Sequence, residues 1–278
     1  MELEDRIIAV YVAVERIYRE IAMRRPLRRG GFAPGLSDPE VLTMEIVGEM
    51  EGRNGDRAIW RYFREHWLDW FPELSAYKTF AKHCANLCWI KQELLRRLFP
   101  ADDTVHIIDG VPLPLCLNAR ASRSRMLDAV AAWGYCAAKD QHYYGLRGHA
   151  VINMEGCVVD FILTPANTDE RAALSDLAGG IRGLLLGDKG FLGRLWQADL
   201  LRHGIDLQTP LRDNMTDNRP KSFVRALLRV RKSVETALSL LTGSFSIAKI
   251  KAHDLWHYTS KLTRKLLAYN FYRFLQKC

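Results

Sequence analysis

What the 278-residue sequence lacks narrows its class before any motif is considered. Six cysteines (Cys84, Cys88, Cys116, Cys136, Cys157 and Cys278) are scattered without a zinc-like arrangement. Cys84 and Cys88 share one helical face, but no second pair completes a tetrahedral site, so the expectation is buried free thiols in a reducing cytosol. No apolar run approaches the roughly 20 residues needed to span a bilayer. The N-terminal MELED is acidic and lacks the basic and apolar regions of a secretion signal. A soluble cytoplasmic protein with no membrane partner is expected. Low-complexity sequence is also missing, and 48% hydrophobic with 26% charged residues is the composition of a globular chain.

Charge is present but uneven. The net charge is +8, yet Leu211 to Cys278 hold fourteen Lys and Arg against four Asp and Glu, a local excess of ten. The preceding residues therefore carry a slight negative balance of two. A basic final quarter points to an anionic partner there, nucleic acid being the commonest, with surface solvation as the plain alternative.

Two regions follow from the patterning. Apolar residues at helical spacing predict a helix over Glu2 to Met23, followed by a basic break containing RRPLRRGG that reads as a flexible or phosphate-contacting link. Ser37-Asp38-Pro39-Glu40 signals a helix start and a helix to about Glu51. After the Gly52 to Gly55 turn, Asp56 is expected to cap an aromatic-rich helix with Trp60, Tyr62, Phe63, Trp67 and Trp70. A last helix is expected from about Ser75 to Leu98. This all-helical region, 1–100, is compatible with a helix-turn-helix that binds DNA and equally with a plain bundle.

From 101 to 278 the pattern becomes α/β. Thr104 to Ile108 reads as a strand stopped by Asp109-Gly110, and Tyr143 to Asn153 and Cys157 to Thr164 read as a hairpin joined by Met154-Glu155-Gly156. Thr168-Asp169-Glu170 is expected to cap a helix ending near Gly179-Gly180. Leu184 to Leu186 is a short apolar strand ending at Gly187-Asp188. A helix over Phe191 to His203, a strand over Ile205 to Thr209, a polar break over Arg212 to Pro220 and a long helix over about Lys221 to Leu241 complete it. That order implies a mixed sheet flanked by helices.

Asp109 and Asp188 thus end neighbouring strands, where open sheets gather ligands, and the late helix can supply Glu235. Three close carboxylates repel unless cations neutralise them, and such hard oxygen donors suit Mg²⁺ or Mn²⁺. Two such ions activate an attacking oxygen and stabilise a leaving one in phosphodiester chemistry. Singly, each acid is ordinary: an Asp before Gly is commonly a turn residue, and a lone helical Glu is commonly solvated.

Five stretches carry a resemblance: IIDGVPLPLC from Ile107, YYGLRGHAVI from Tyr143, LTPANTDE from Leu163, LLGDKGF from Leu185 and RVRKSVET from Arg229. Together they resemble the DDE domain of small bacterial insertion-sequence transposases, over roughly Thr104 to Lys277. The resemblance implies a ribonuclease H-like fold and Mg²⁺-dependent cleavage and joining of element ends. It further implies two metal ions bound by Asp109, Asp188 and Glu235, double-stranded DNA as partner, and a homo-oligomer on DNA associated with the bacterial nucleoid. Arg231, four residues before Glu235, is implied to orient the carboxylate or hold a phosphate. A fuller form of the motif has Tyr three residues before the Arg and Lys seven after the Glu, where this chain has Leu228 and Thr242.

Other candidates are weighed beside these. Lys189 is a candidate for the scissile phosphate, and Lys249, Lys251, Lys261, Arg264 and Lys265, with Arg273 and Lys277, are candidates for DNA backbone contact. His149 reads as a core histidine rather than a metal neighbour, His106 as structural, and the run Trp60 to Trp70 as packing rather than a base-stacking platform. A nuclease without strand transfer and an inactive DNA-binding descendant are the competing readings.

Overall fold

The computed structural model describes the chain except residues 26, 28, 29, 31, 32, 100–103, 138, 139, 178–180, 212, 213, 277 and 278. Parts of the basic break after Arg24 and of the polar break after Leu211, the end expected at Gly179-Gly180, and Lys277 therefore lie outside the described residues. In chain order come α1 (Leu3–Arg24), α2 (Asp38–Met50), α3 (Asp56–His66), α4 (Tyr77–Asn86) and α5 (Cys88–Leu98). Strands β1 (Val105–Pro114), β2 (Ala132–Cys136), β3 (Gln141–Asn153) and β4 (Val158–Pro165) follow. Then come α6 (Leu174–Leu177), β5 (Gly183–Leu186), α7 (Arg194–Arg202), β6 (Ile205–Gln208), α8 (Lys221–Thr242) and α9 (Leu255–Leu275). Two compact units result: residues 1–99 with 243–278, and residues 100–242.

The helical unit is built on stripes. In α1, Ile7, Val10, Val14, Ile17 and Ile21 recur every three or four residues and are buried, while the rest of the helix is wet. At α2 the Ser37 hydroxyl accepts from Glu40 N, and the Glu40 carboxylate accepts from Ser37 N at 2.6 Å, so the expected start is a complete capping box. Asp38 then receives Tyr18 and His83, each at 2.6 Å, tying α1 and α4 to α2. Gly48 lets α3 approach, because a Cβ there would lie 2.8 Å from the Ile59 side chain.

Three expectations change here. Gly55, not Asp56, occupies the N-cap of α3, and Asp56 instead turns its carboxylate to Arg264 at 2.6 Å. The helix expected over Ser75 to Leu98 is two helices that break at Leu87. Residues 243–278, expected to continue the α/β region, group with the N-terminal helices, because α9 packs along α2 and α5.

That packing buries charge. Glu45, Glu49, Lys91, Arg264 and Lys265 are all at most 4% exposed. Arg264 reaches Glu49 at 2.8 Å, Glu45 at 3.1 Å and Asp56 at 2.6 Å. Lys91 holds Glu45 at 2.8 Å, and Lys265 holds Glu49 at 2.6 Å. Three acids thus meet three bases out of water, where an unmatched charge costs several kcal/mol, roughly 3–5.

In the α/β unit, β3 is long enough to serve three neighbours. β1 runs antiparallel along one edge from His106↔Asn153 to Pro114↔Gly145. The other edge is shared, with β2 pairing to 141–145 and β4 to 146–152. The hairpin joining β3 to β4 matches expectation, with Gly156 at φ 82° and the Asn153 side chain accepting from Cys157 N at 2.9 Å. Beyond β1 lie β5 and β6, both parallel to it. The result is a mixed six-stranded sheet. Ile108, Val151, Val159, Leu185, Ile205 and Leu207 from the sheet close a core with Leu174, Phe191 and Leu200 from the helical side. Among the flanking helices, α7 packs on β6 and α8 on β1.

Gly110 does not stop β1, contrary to expectation. β3 pairing carries the strand on to Pro114, whereas β5 pairs with β1 only as far as Ile107. Past that point no strand among the described residues pairs with this edge of β1, so Pro112 and Pro114 cost no ladder bond there.

Candidate active site

The register of the parallel strands places the first two acids. The last β1–β5 pair is Ile107↔Leu186, and Asp109 and Asp188 each lie two residues further on. Asp188 remains extended, at φ −79° and ψ 172°. Neighbouring strands run about 4.8 Å apart and residues two apart share a face, so both carboxylates leave the sheet on one side. Asp188 then opens a short turn over Lys189–Phe191, its side chain accepting from Lys189 N at 2.5 Å.

Asp109 shows the electrostatic cost of this arrangement. Its carboxyl is pushed up to about 6, first by burial and further by the nearby charges of Asp188 and Glu170. Lowering it are a hydrogen bond from Gly110 N at 2.8 Å and the guanidinium of Arg231. Burial prevails over both.

Arg231 projects from α8 and brings its Nη2 to 3.3 Å from Asp188 Oδ1, with only 19% of its side chain exposed. Glu235 lies one helical turn on and is exposed. Among the described residues no three acids, imidazoles or thiolates come together closely enough to hold a metal ion. The structure therefore brings Asp109, Asp188 and Arg231 together and does not draw Glu235 into a three-acid cluster.

Two residues that sequence reasoning left without a role do reach the site. Glu170, expected only to help cap a helix, begins a short 3₁₀ turn and receives Arg147 Nη1 from β3 at 2.8 Å. Burial raises the Glu170 carboxyl, Arg147 lowers it and Asp188 raises it again. Both residues lie inside stretches that carry the resemblance, YYGLRGHAVI and LTPANTDE, but a capping position masked the acid.

The remaining candidates separate by exposure. Lys189 is exposed beside Asp188, and Lys249 and Lys251 are exposed in the other unit. Arg264 and Lys265 are a correction: they are 1% and 4% exposed and spend their charge on Glu45, Glu49 and Asp56, so neither can meet a phosphate. Lys261 donates to the Lys251 carbonyl at 3.0 Å and stands 3.6 Å from Asp56. Arg273 is half-buried. His149 is fully buried on Thr164 at 3.0 Å and His106 is fully buried. Of the aromatic run, Phe63 is buried against Phe71, while Trp70 is 44% exposed.

Two aspartates beyond the paired ends of neighbouring parallel strands lie where open α/β sheets gather ligands. The family model described as a transposase DDE domain matches residues 100–253, and the chain belongs to that family. A similar solved structure is the cryo-EM structure of a piggyBac transposase synaptic complex with hairpin DNA, at a TM-score of 0.50 and 10% identity. The likeness covers 97% of this chain and 72% of that one, and it concerns the fold. No curated protein matches. Among the described residues, no helix is long and apolar enough to cross a membrane.

Proposed function

We propose that the protein is an insertion-sequence DNA transposase, which cuts the ends of its element and joins the resulting 3′-hydroxyls to target DNA. The observation that carries this reading is the side-by-side placement of Asp109 and Asp188 within the segment matched by the transposase family. The mixed sheet, with both acids past the β1–β5 pairing, supports a ribonuclease H-like unit. Asp109, Asp188 and Glu235 are the residues that would hold two Mg²⁺ or Mn²⁺ ions. Asp109 and Asp188 offer adjacent hard oxygen donors of the kind such cations take, while Glu235 stands exposed on α8 outside any three-acid cluster among the described residues. When bound, such ions activate the attacking oxygen and stabilise the leaving one.

The chain's own residues do the rest. Arg231 faces Asp188 and offsets its charge, and Lys189 stands exposed beside it for the scissile phosphate. Lys249 and Lys251 remain available for backbone phosphates, a contact that weakens with salt. Double-stranded DNA is the partner in this reading, with two or more copies of the chain pairing two ends, in the bacterial cytoplasm at the nucleoid.

The test uses a supercoiled plasmid carrying the coding sequence with its genomic flanks. Asp188→Asn should abolish Mg²⁺-dependent cleavage, and undiminished cleavage refutes the assignment. A pre-cleaved end that joins no target plasmid reduces the reading to a nuclease.

A further inference from the structure

Glu170 Oε1 is held by Arg147 Nη1 at 2.8 Å, and Arg147 Nη2 in turn donates to the Tyr135 carbonyl at 3.1 Å. From that anchorage the carboxylate spans two glycines. A Cβ at Gly190 would lie 2.0 Å from Glu170 Oε2, and one at Gly110 would lie 3.4 Å from Oε1. Gly110 directly follows Asp109, and Gly190 is the middle residue of the turn that Asp188 opens. Neither glycine has a positive φ. Backbone conformation therefore does not demand glycine at either position; at Gly190 the Glu170 carboxylate takes the room of a Cβ, and at Gly110 a Cβ would only touch it.

We propose that Glu170 is a positioning residue that fixes the two aspartate-bearing backbones relative to each other. It acts through the backbone at Gly110 and Gly190, with the Arg147 ion pair as its mount. Arg147 offsets part of the Glu170 charge while holding the carboxylate in place. The inference rests on the proposed reading of those aspartates as metal ligands. It also explains the small residue in the Asp188-Lys189-Gly190 turn: a methyl there meets only the end of the Glu170 side chain, which swings away and leaves the fold intact but the brace lost.

The experiment compares the full chain with Glu170→Ala, Gly190→Ala and the double variant. Mn²⁺ affinity is read from the electron paramagnetic resonance of the free ion, without DNA, alongside plasmid cleavage and thermal melting. Each single variant should melt close to the parent and bind Mn²⁺ about 10- to 100-fold more weakly, the loss typical when groups that orient metal ligands are removed. The double variant should be no worse than either single one, because both remove the same brace. Parental Mn²⁺ affinity in either single variant, or additive losses in the double, overturns the inference and leaves the function standing. A parent that neither binds Mn²⁺ nor cleaves overturns both.

Discussion

Replacing Arg264 with Met tests whether α9 is held by charge. The guanidinium is 1% exposed and reaches Glu49, Glu45 and Asp56 within 3.1 Å. Methionine keeps most of the volume and the apolar stem but removes the one group that reaches all three carboxylates, leaving Glu45 to Lys91, Glu49 to Lys265 and Asp56 to Lys261 at 3.6 Å. Breaking a buried pair from one side costs about 3–5 kcal/mol. At about 2–4 °C per kcal/mol for a chain of this size, the midpoint should fall by roughly 10 °C. Tryptophan fluorescence is the suitable probe, since Trp60, Trp67, Trp70, Trp89 and Trp256 belong to the helical unit, leaving Trp133 and Trp196 in the other. The cost should shrink in acid. Burial raises the Asp56 carboxyl but Arg264, Lys261 and Lys91 together hold it below its usual value. Its contribution is therefore present above about pH 4 and lost as pH falls through the lower folded value. A midpoint within about 2 °C of the parent at pH 7 would mean that α9 is held by its apolar face alone.

The other predictions concern the α/β unit. Asp109→Asn should stabilise the metal-free protein at pH 7 by about 1–3 kcal/mol while abolishing cleavage. The sign follows from the carboxyl rising from 3.8 to about 6: the folded state binds the extra proton, so stability is lost as pH climbs through that window. An unchanged urea midpoint at pH 7 counts against it. Mn²⁺ binding by the parent should strengthen as pH rises through about 6, and a flat profile from pH 5 to 7 contradicts the burial of Asp109. His149 is lowered to about 4 by burial and by Arg147, so it folds neutral, and stability should drain away as pH falls from 6.5 towards 4. His149→Gln should flatten that acid limb, which pH-dependent melting will show directly.

Local chemistry was the legible part of this sequence. The capping box at Ser37, the Gly156 hairpin and the stripe of α1 are each specified by residues within a few positions of one another, and they appear as read. What depended on distant partners was not legible. β2 is five residues, AWGYC, that become a strand only by pairing with β3. α9 hid because its inward face carries Arg264, Lys265 and Asn270, which look like surface until acids more than two hundred residues away neutralise two of them. The same blindness counted Arg264 and Lys265 among the candidates for DNA contact. At the site, Asp109 and Asp188 could be read because strand ends mark them. Glu170 could not, since only the fold shows it beside Gly110 and Gly190.

The charge cluster has a consequence for how the chain is made. Glu45 and Glu49 leave the ribosome 215 to 219 residues before the arginine that matches them. At about 5–20 residues per second that is a wait of roughly 10 to 40 s. The whole sequence of the α/β unit is delivered in that interval. Helices made before the α/β unit thus belong to a unit finished after it, and a nascent chain holds a complete α/β unit while its helical unit still awaits the segment that balances its charge.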